Sequence, residues 1–423
     1  MQTLKLTKKY ETYPECKDSG VDWLGKIPKD WGLEKLKNKF NFEKGKDAAK
    51  FTQDYIGHEK NIGNYPVYSG QTENNGIMGN INSYEYDLSA PAIFTTTVGA
   101  KAMTPLVLNG KFNLSQNCLL MVPKNRDTDS RFFYYQLFGL FKSMKDEIPS
   151  HMQPSLRVSD LNKSSVVYIS PENQTKISNY LDEKTKNIDQ IIEKKQKLIE
   201  LLREKRTTII NNAVTKFNVE GRTGKIKHLV KSIESGIWGD NPLENYDDIK
   251  CLRVADFDYE NLSFSQVETI RNNPNLSKKK ILKKGDILVE KSGGGEKTPV
   301  GRAILFNSDE KMVCANFIDI IRVNTDKILP EFLVFYLSYI YSGRINTKYI
   351  KQNTGIQNMD IKTYFSEMIT IPDLNTQKDI IITIYKKMNI FDSALKKVEK
   401  SLETLQEFKS SLISNVVTGK VKI

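Results

Sequence analysis

Four cysteines, three histidines and three tryptophans in 423 residues leave little material for several kinds of chemistry. Cys16, Cys118, Cys251 and Cys314 lie far apart and form no Cys-x-x-Cys pair, which argues against a structural zinc site and fits a reducing compartment. His58, His151 and His228 are solitary and no HExxH occurs, so each histidine reads as structural and no metal site is expected. No run reaches about 18 uninterrupted apolar residues, so no spanning helix is expected. The nearest candidate, ILPEFLVFYLSYIYSG (328–343), carries Glu331 and reads as a buried amphipathic helix. The opening MQTLKLTKKYETYPE lacks the apolar centre of a signal peptide, and a cytoplasmic location without membrane contact is expected. Acidic residues are also in short supply: 51 against 63 basic ones, a net charge of +12. That excess favours an anionic partner.

Glycine clusters at one place, KSGGGEKTPVG (291–301), which invites comparison with a nucleotide-binding loop. The spacing does not fit. A Walker A loop needs glycine directly before Lys-Ser/Thr and a helix opening behind it. Here Glu296 precedes Lys297, and Pro299 and Gly301 follow. Residues 286–290 read as a strand and 302–306 as the strand returning, so the loop is expected at a hairpin tip. Its amides, with Lys291, Lys297 and Arg302, suit a polymer of phosphates better than one nucleotide.

Glycine and proline are missing altogether from Glu172 to Glu220 and from Asp373 to Thr418. Each stretch follows a proline and is rich in Lys and Glu, and each is expected to be one long helix. Shifted by 203 positions, the first falls on the second without a gap: Gln174 on Gln377, Asp189 on Asp392, Glu200 on Glu403 and Leu202 on Leu405. A seven-residue beat runs through both. It is Leu181, Ile188, Lys195, Leu202 and Ile209 in one, and Ile384, Phe391, Val398, Leu405 and Leu412 in the other. Such a seam packs on another helix. Ile191, Ile192, Leu198 and Ile199, and Ala394, Leu395 and Leu402, are expected to widen it, while Lys195 either snorkels or fixes register.

The segments between the helices are richer in aromatics, Gly, Asn, Ser and Thr, and they echo each other more weakly. FNLSQNCLLMV (112–122) resembles MVCANFIDIIRV (312–323), which sets Asn117 against Asn316. Phe132 and Leu137 match Phe332 and Leu337. The expected fold class is therefore α+β: two similar β-rich domains with helices (1–168 and 221–369) and two long helices (169–220 and 370–423). The long helices should pair as an antiparallel coil with approximate two-fold symmetry. About 45 helical residues span roughly 68 Å, about two turns of a duplex at roughly 34 Å each.

Several stretches resemble the specificity subunits of type I restriction-modification systems. They are YPECKDSGVDWLGKIPKDWGLEKLKNKF (13–40), YPVYSGQTENNGIMGNI (65–81), IFTTTVGA, FNLSQNCLLMVP, GDILVEKSGGGEKTPVGRAILF (285–306) and ANFIDIIRV, with the helix ends AVTKF (213–217) and VVTGKVKI (416–423). The resemblance covers essentially the whole chain. One departure is that the second domain opens with KIKHLVKSIESGIWGDNP in place of the tryptophan-rich WLGKIPKDW, which blurs its starting point. The resemblance implies two target recognition domains reading a bipartite site in double-stranded DNA. It also implies a coil that docks two methyltransferase subunits, and a motor-nuclease subunit where one is present. S-adenosylmethionine, ATP and Mg would then sit on partners, with no cofactor on this chain.

Consistent with a non-catalytic chain, Asn241-Pro242-Leu243 and Asn273-Pro274-Asn275 lack the second proline and aromatic of an amino-methyltransferase motif. The acidic pairs Asp182-Glu183 and Asp247-Asp248 read as solvated. Candidate DNA contacts in the second domain are Lys291, Ser292, Gly293, Gly294, Gly295, Lys297, Thr298 and Arg302 at the tip. The run Lys278, Lys279, Lys280 and the loop residues Lys348, Lys351, Gln352, Asn353 and Gln357 add to them; the run reads equally as a solvated charge cluster. In the first domain they are Tyr68, Ser69, Gln71, Thr95, Thr96, Thr97, Lys101, His151 and Gln153. These residue types offer paired donors and acceptors to base edges or bind phosphate. Two rivals stay open: a coiled-coil interaction protein with two β-rich ligand modules that is not specific for DNA, and an all-in-one nuclease or methyltransferase.

Overall fold

A computed structural model describes residues 10–70, 74–216, 221–353 and 355–423. The chain forms two compact units, Met1–Lys195 with Lys400–Ile423, and Gln196–Glu399. The divisions between these units fall inside the long helices. Each unit takes in part of both helices because those parts pack into its own core.

In the first unit a six-stranded sheet runs in the order Phe40–Glu43, Cys118–Pro123, Tyr86–Thr96, Pro105–Leu114, Ile62–Tyr68, Ile77–Ile81. Neighbours are antiparallel except 62–68 beside 105–114. The second unit repeats this order in two pieces. Val230–Ser235, Ile318–Val323, Ile287–Glu290 and Ala303–Leu305 make one. Met312–Cys314, Asp248–Leu252 and Ile270–Asn272 make the other, with 248–252 again parallel to its neighbour. A helix then covers each sheet, Ser130–Asp146 or Pro330–Ser342, burying Phe132, Phe133 and Leu137 in one and Phe332, Leu333 and Leu337 in the other. A small strand pair closes each unit: Gly32–Lys35 with Ser165–Tyr168, and Arg222–Lys225 with Met368–Ile371. Arg222 thus stands in the second unit where Gly32 stands in the first. The WLGKIPKDW segment anchors the chain end, packing Leu24, Ile27 and Trp31 with Val416, Val417 and Val421 in the first core.

The strand repeat differs by one residue from the sequence alignment. Burial runs identically through 111–120 and 311–320, with only the first position and the turn pairs 116–117 and 316–317 exposed. Gln116 therefore corresponds to Asn316, and Asn117 to Phe317. Matching two asparagines slips the register, and a slip of one reverses every side chain in a strand. A glycine marks the same place in both units. A Cβ on Gly45 would lie 2.3 Å from the Leu114 carbonyl oxygen, and one on Gly236 2.4 Å from that of its counterpart Cys314.

The two long helices are Pro171–Lys216 and Leu374–Val417. Proline at the first helical position opens one, and Asp373 caps the other by accepting from the Asn375 and Thr376 amides. Inside the first unit they run antiparallel. Lys409 pairs with Asp189 (2.6 Å), Lys176 donates to the Ile423 carbonyl (2.8 Å), and Ile177, Leu181 and Ile188 share a core with Leu412, Ile413 and Val416. Inside the second unit Arg206 pairs with Asp392 (3.0 Å) and Arg203 with Glu399 (3.5 Å), while Ile210 and Val214 join Ile380, Ile384 and Met388. The 203-residue shift carries Asp189 onto Asp392 and Arg206 onto Lys409, so the two ion pairs are one interaction written twice.

Of the seam, Leu181, Ile188, Ile384 and Leu412 are buried; Leu202, Ile209, Phe391, Val398 and Leu405 are half-buried, as is Lys195. Ile191 and Leu198 are exposed and do not widen it. Ile192 and Ile199 hold the inward positions of the heptad, and one residue back is about 100° away around the helix.

A buried glutamine joins each helix to its head. Gln174 donates to the carbonyls of Ile169 (2.8 Å) and Asp127 (3.1 Å) and accepts from the Asp129 amide (3.0 Å). Gln377 donates to those of Pro372 (2.8 Å) and Lys327 (3.1 Å) and accepts from the Leu329 amide (2.8 Å). Gln174→Leu or Gln377→Leu should cost about 2 kcal/mol in urea unfolding, because three backbone groups, one of them fully buried, lose their partner; a loss below about 1 kcal/mol would contradict this. The ion pairs should differ in weight, since the Arg206 side chain is 7% exposed and that of Lys409 29%. Arg206→Ala is expected to cost about 3 kcal/mol and Lys409→Ala about 1 or less, an order that paired melts would reveal.

Candidate nucleic-acid interface

The glycine-rich segment is a hairpin tip. Ile287–Glu290 pairs antiparallel with Ala303–Leu305, Ile287 opposite Leu305. Ser292–Gly293 then forms a short strand against Ile356–Met359, whose other edge carries Ile350–Asn353. The tip and the polar loop sixty residues later are therefore one small sheet. Ser292 donates to Asn358 Oδ1 (2.6 Å), and the Gln357 side chain is buried, accepting from the Val300 amide (3.3 Å). At Gly294 φ is +63°, and a Cβ would lie 2.9 Å from the Thr298 oxygen. The Gly295 amide closes the turn on that same oxygen (3.0 Å). No helix follows, which removes the nucleotide-loop geometry.

Several expected cations are already engaged. Arg302 meets Glu290 through two hydrogen bonds (2.7 and 3.1 Å) and lies 3.8 Å over the Tyr259 ring; the Glu290 side chain is 1% exposed. With its guanidinium engaged by this buried carboxylate, Arg302 braces the hairpin base. Lys291 pairs with Asp319 (2.8 Å) and also donates to the Ser235 hydroxyl, while Lys280 donates to the Ser235 carbonyl. The lysine run and the hairpin base thus meet at one serine. Lys278 and Lys279 are exposed, and the Lys279 carbonyl is held by Arg322 (2.9 Å). Lys351 pairs with Asp360 (2.9 Å), whose carboxyl is held down to about 2 by that hydrogen bond and by Thr363. Lys297, Thr298, Lys348 and Gln352 are exposed; Asn353 is described through its backbone only.

The first unit builds the corresponding end differently. Thr95 and Thr96 are buried in the strand, with the Thr96 hydroxyl donating to the Lys101 carbonyl, so they support the turn and cannot face a ligand. Residues 97–104 form that turn. The Thr97 amide donates to the Asn117 carbonyl (2.8 Å), and the Leu156 amide to that of Thr97 (2.7 Å). The segment bearing exposed His151 and Gln153 is thereby drawn to exposed Lys101. Tyr68 is half-buried beside Phe94 and Phe112, with its hydroxyl pKa raised by burial. Ser69 is buried and its amide donates to the Gly76 carbonyl (2.8 Å). Gln71 lies outside the described residues.

Strand register exposes further candidates. Tyr68 pairs with Leu114 and Leu252 with Cys314, so Ser69 corresponds to Arg253. Arg253, Asn316 and Phe317 therefore stand in the second unit where Ser69, Gln116 and Asn117 stand in the first. The sequence hides this because the offset is 184 here and 200 in the following turn. The buried thiols of Cys118 and Cys251 are pushed up to about 12 and about 11, and that of Cys314 upward too, all mainly by burial, which keeps them neutral. Among the described residues no group of three or more His, Cys, Asp or Glu is placed to hold a metal ion, and no helix is long and apolar enough to cross a membrane.

Two sheet-based heads of one topology, each ending in exposed polar and basic loops and each rooted in a pair of long helices, define a duplicated recognition protein. Its family follows from the sequence: the type I restriction modification DNA specificity domain matches residues 28–201 and again 219–405. The chain belongs to this family and, as a specificity subunit, is a non-catalytic member of such systems. A Mycoplasma pneumoniae chain named as a type I specificity subunit, S.MpnORF507P, is 23% identical over 92% of this chain and 98% of its own length. The EcoDI type I specificity subunit of Escherichia coli is 28% identical over 37% of this chain and 32% of its own. A solved chain from a study of type I complex assembly and conformational transition shares the fold, with a TM-score of 0.66 at 11% identity, over 93% of this chain and 99% of that one.

The engaged and free cations should separate by salt. In full complexes titrated with duplex DNA, Lys297→Gln is expected to lower the slope of log K against log salt by about 1. Arg302→Gln should weaken binding with the slope unchanged; a slope change equal to that of Lys297→Gln would make Arg302 a phosphate contact.

Proposed function

We propose that this chain is the DNA-reading and scaffold subunit of a type I restriction-modification complex. Each head reads one half of a bipartite duplex site, and the paired helices set the spacing and seat two methyltransferase subunits, with a motor-nuclease subunit where one is present. S-adenosylmethionine, ATP and Mg belong to those partners, and the complex acts on DNA in the cytoplasm. The observation that carries the reading is the duplication of topology with unlike surfaces. Lys101, His151 and Gln153 end one head; Lys297, Lys348 and Gln352 end the other. One shared scaffold with two different sets of donors suits two unlike half-sites. In the second unit the long helices also leave Leu198, Leu201, Ile382 and Ile390 exposed, which supports a partner on them.

The test is a comparison of methylated adenines across the genome with and without this gene. A split, non-palindromic motif should lose its methylation when the gene is absent and regain it on complementation. An unchanged methylation map, or a purified complex that binds all duplexes alike, contradicts the reading. Salt-insensitive binding would point instead to a protein or carbohydrate ligand.

A further inference from the structure

Beside the glycine-rich tip lies a cavity of about 460 Å³ lined by Trp238, Val254, Ala255, Ala315 and Phe317, with Arg253 and Asn316 also on its wall. Phe317 is 54% exposed. Val254, Ala255 and Phe317 also line the groove that holds Gly293, Gly294 and Thr298, so cavity and tip open on each other. Cations surround this apolar floor: Arg271 stacks 4.0 Å over Trp238, and the Arg253 guanidinium, tied to Asp256 (2.8 Å), stays 44% exposed. An occupant that brings one apolar group beside polar or anionic ones suits this lining: an apolar floor edged by two guanidinium groups, of which that of Arg253 is partly exposed. In the major groove of DNA the only such group is the C5-methyl of thymine, and alanine and phenylalanine are residue types that receive it. The equivalent turn of the first unit carries Ser115, Gln116 and Asn117, which cannot offer this surface.

We propose that this cavity is a base-reading subsite of the second head, which selects a thymine by enclosing its 5-methyl group against Phe317, Ala255 and Ala315. The inference rests on the DNA-reading assignment above. It makes Phe317 a specificity-determining residue, with Arg253 and Asn316 placed to meet the neighbouring backbone or base edges.

The experiment uses the full chain in complex with its methyltransferase subunits and a duplex bearing the motif mapped in cells. Each thymine of that duplex is replaced in turn by uracil, which removes only the methyl. One replacement, in one half-site, should weaken binding about 4- to 10-fold, the effect of one buried methyl. In Phe317→Ala the same replacement should make no difference, and Phe317→Leu should restore part of the discrimination; thermal melts of both variants should match the parent because the ring is exposed. Indifference of the parent complex to every replacement overturns the subsite while leaving sequence-specific binding intact. Discrimination that survives in Phe317→Ala also overturns it. Absence of any preferred sequence defeats the DNA-reading assignment itself, and this inference with it.

Discussion

One buried amide in each unit holds head and helix together. Gln174 and Gln377 each satisfy a carbonyl just before a long helix, a carbonyl in the loop after the last central strand, and an amide where the covering helix begins. Two segments more than forty residues apart, the start of the long helix and the loop that leads into the covering helix, thus share one side chain with no exposed surface. A shorter or charged residue would leave backbone groups stranded, and the low dielectric that strengthens the network also raises the cost of breaking it. The junction ties the start of the covering helix to the start of the long helix in each unit.

The helices were legible because nothing local competes with them. Forty-odd residues without glycine or proline, with a seven-residue beat and a constant 203-residue shift, specify both their extent and their partner surface. The ion pairs were latent in the same shift, since Asp189 and Asp392 fall together and so do Arg206 and Lys409. The heads were readable as related, yet their register was not. Asn117 attracts Asn316 on identity, whereas burial sets it against Phe317, and only the ladder of hydrogen bonds decides.

At the candidate site the sequence revealed the hairpin but not the state of its charges. Arg302 stands opposite Glu290 across the two strands, and the buried carboxylate takes the guanidinium. Thr95 and Thr96 carry suitable hydroxyls, but the strand continues through them and both sides of it are covered. The pairing of Ser292–Gly293 with 356–359 spans some sixty residues, beyond what local pattern can show. Arg253 and Phe317 carry no motif; their position becomes meaningful only through strand register.

The constant shift of the helices has a consequence for how such a chain can vary. Offsets between the heads drift from 184 to 200 as loops lengthen or shorten, and the sheets absorb the difference. A helix cannot. Removing one residue from a long helix turns every position beyond it by about 100° relative to those before it. The heads can therefore change in length within their loops, whereas a rod keeps its seam only through substitutions or through changes of length that preserve its seven-residue phase.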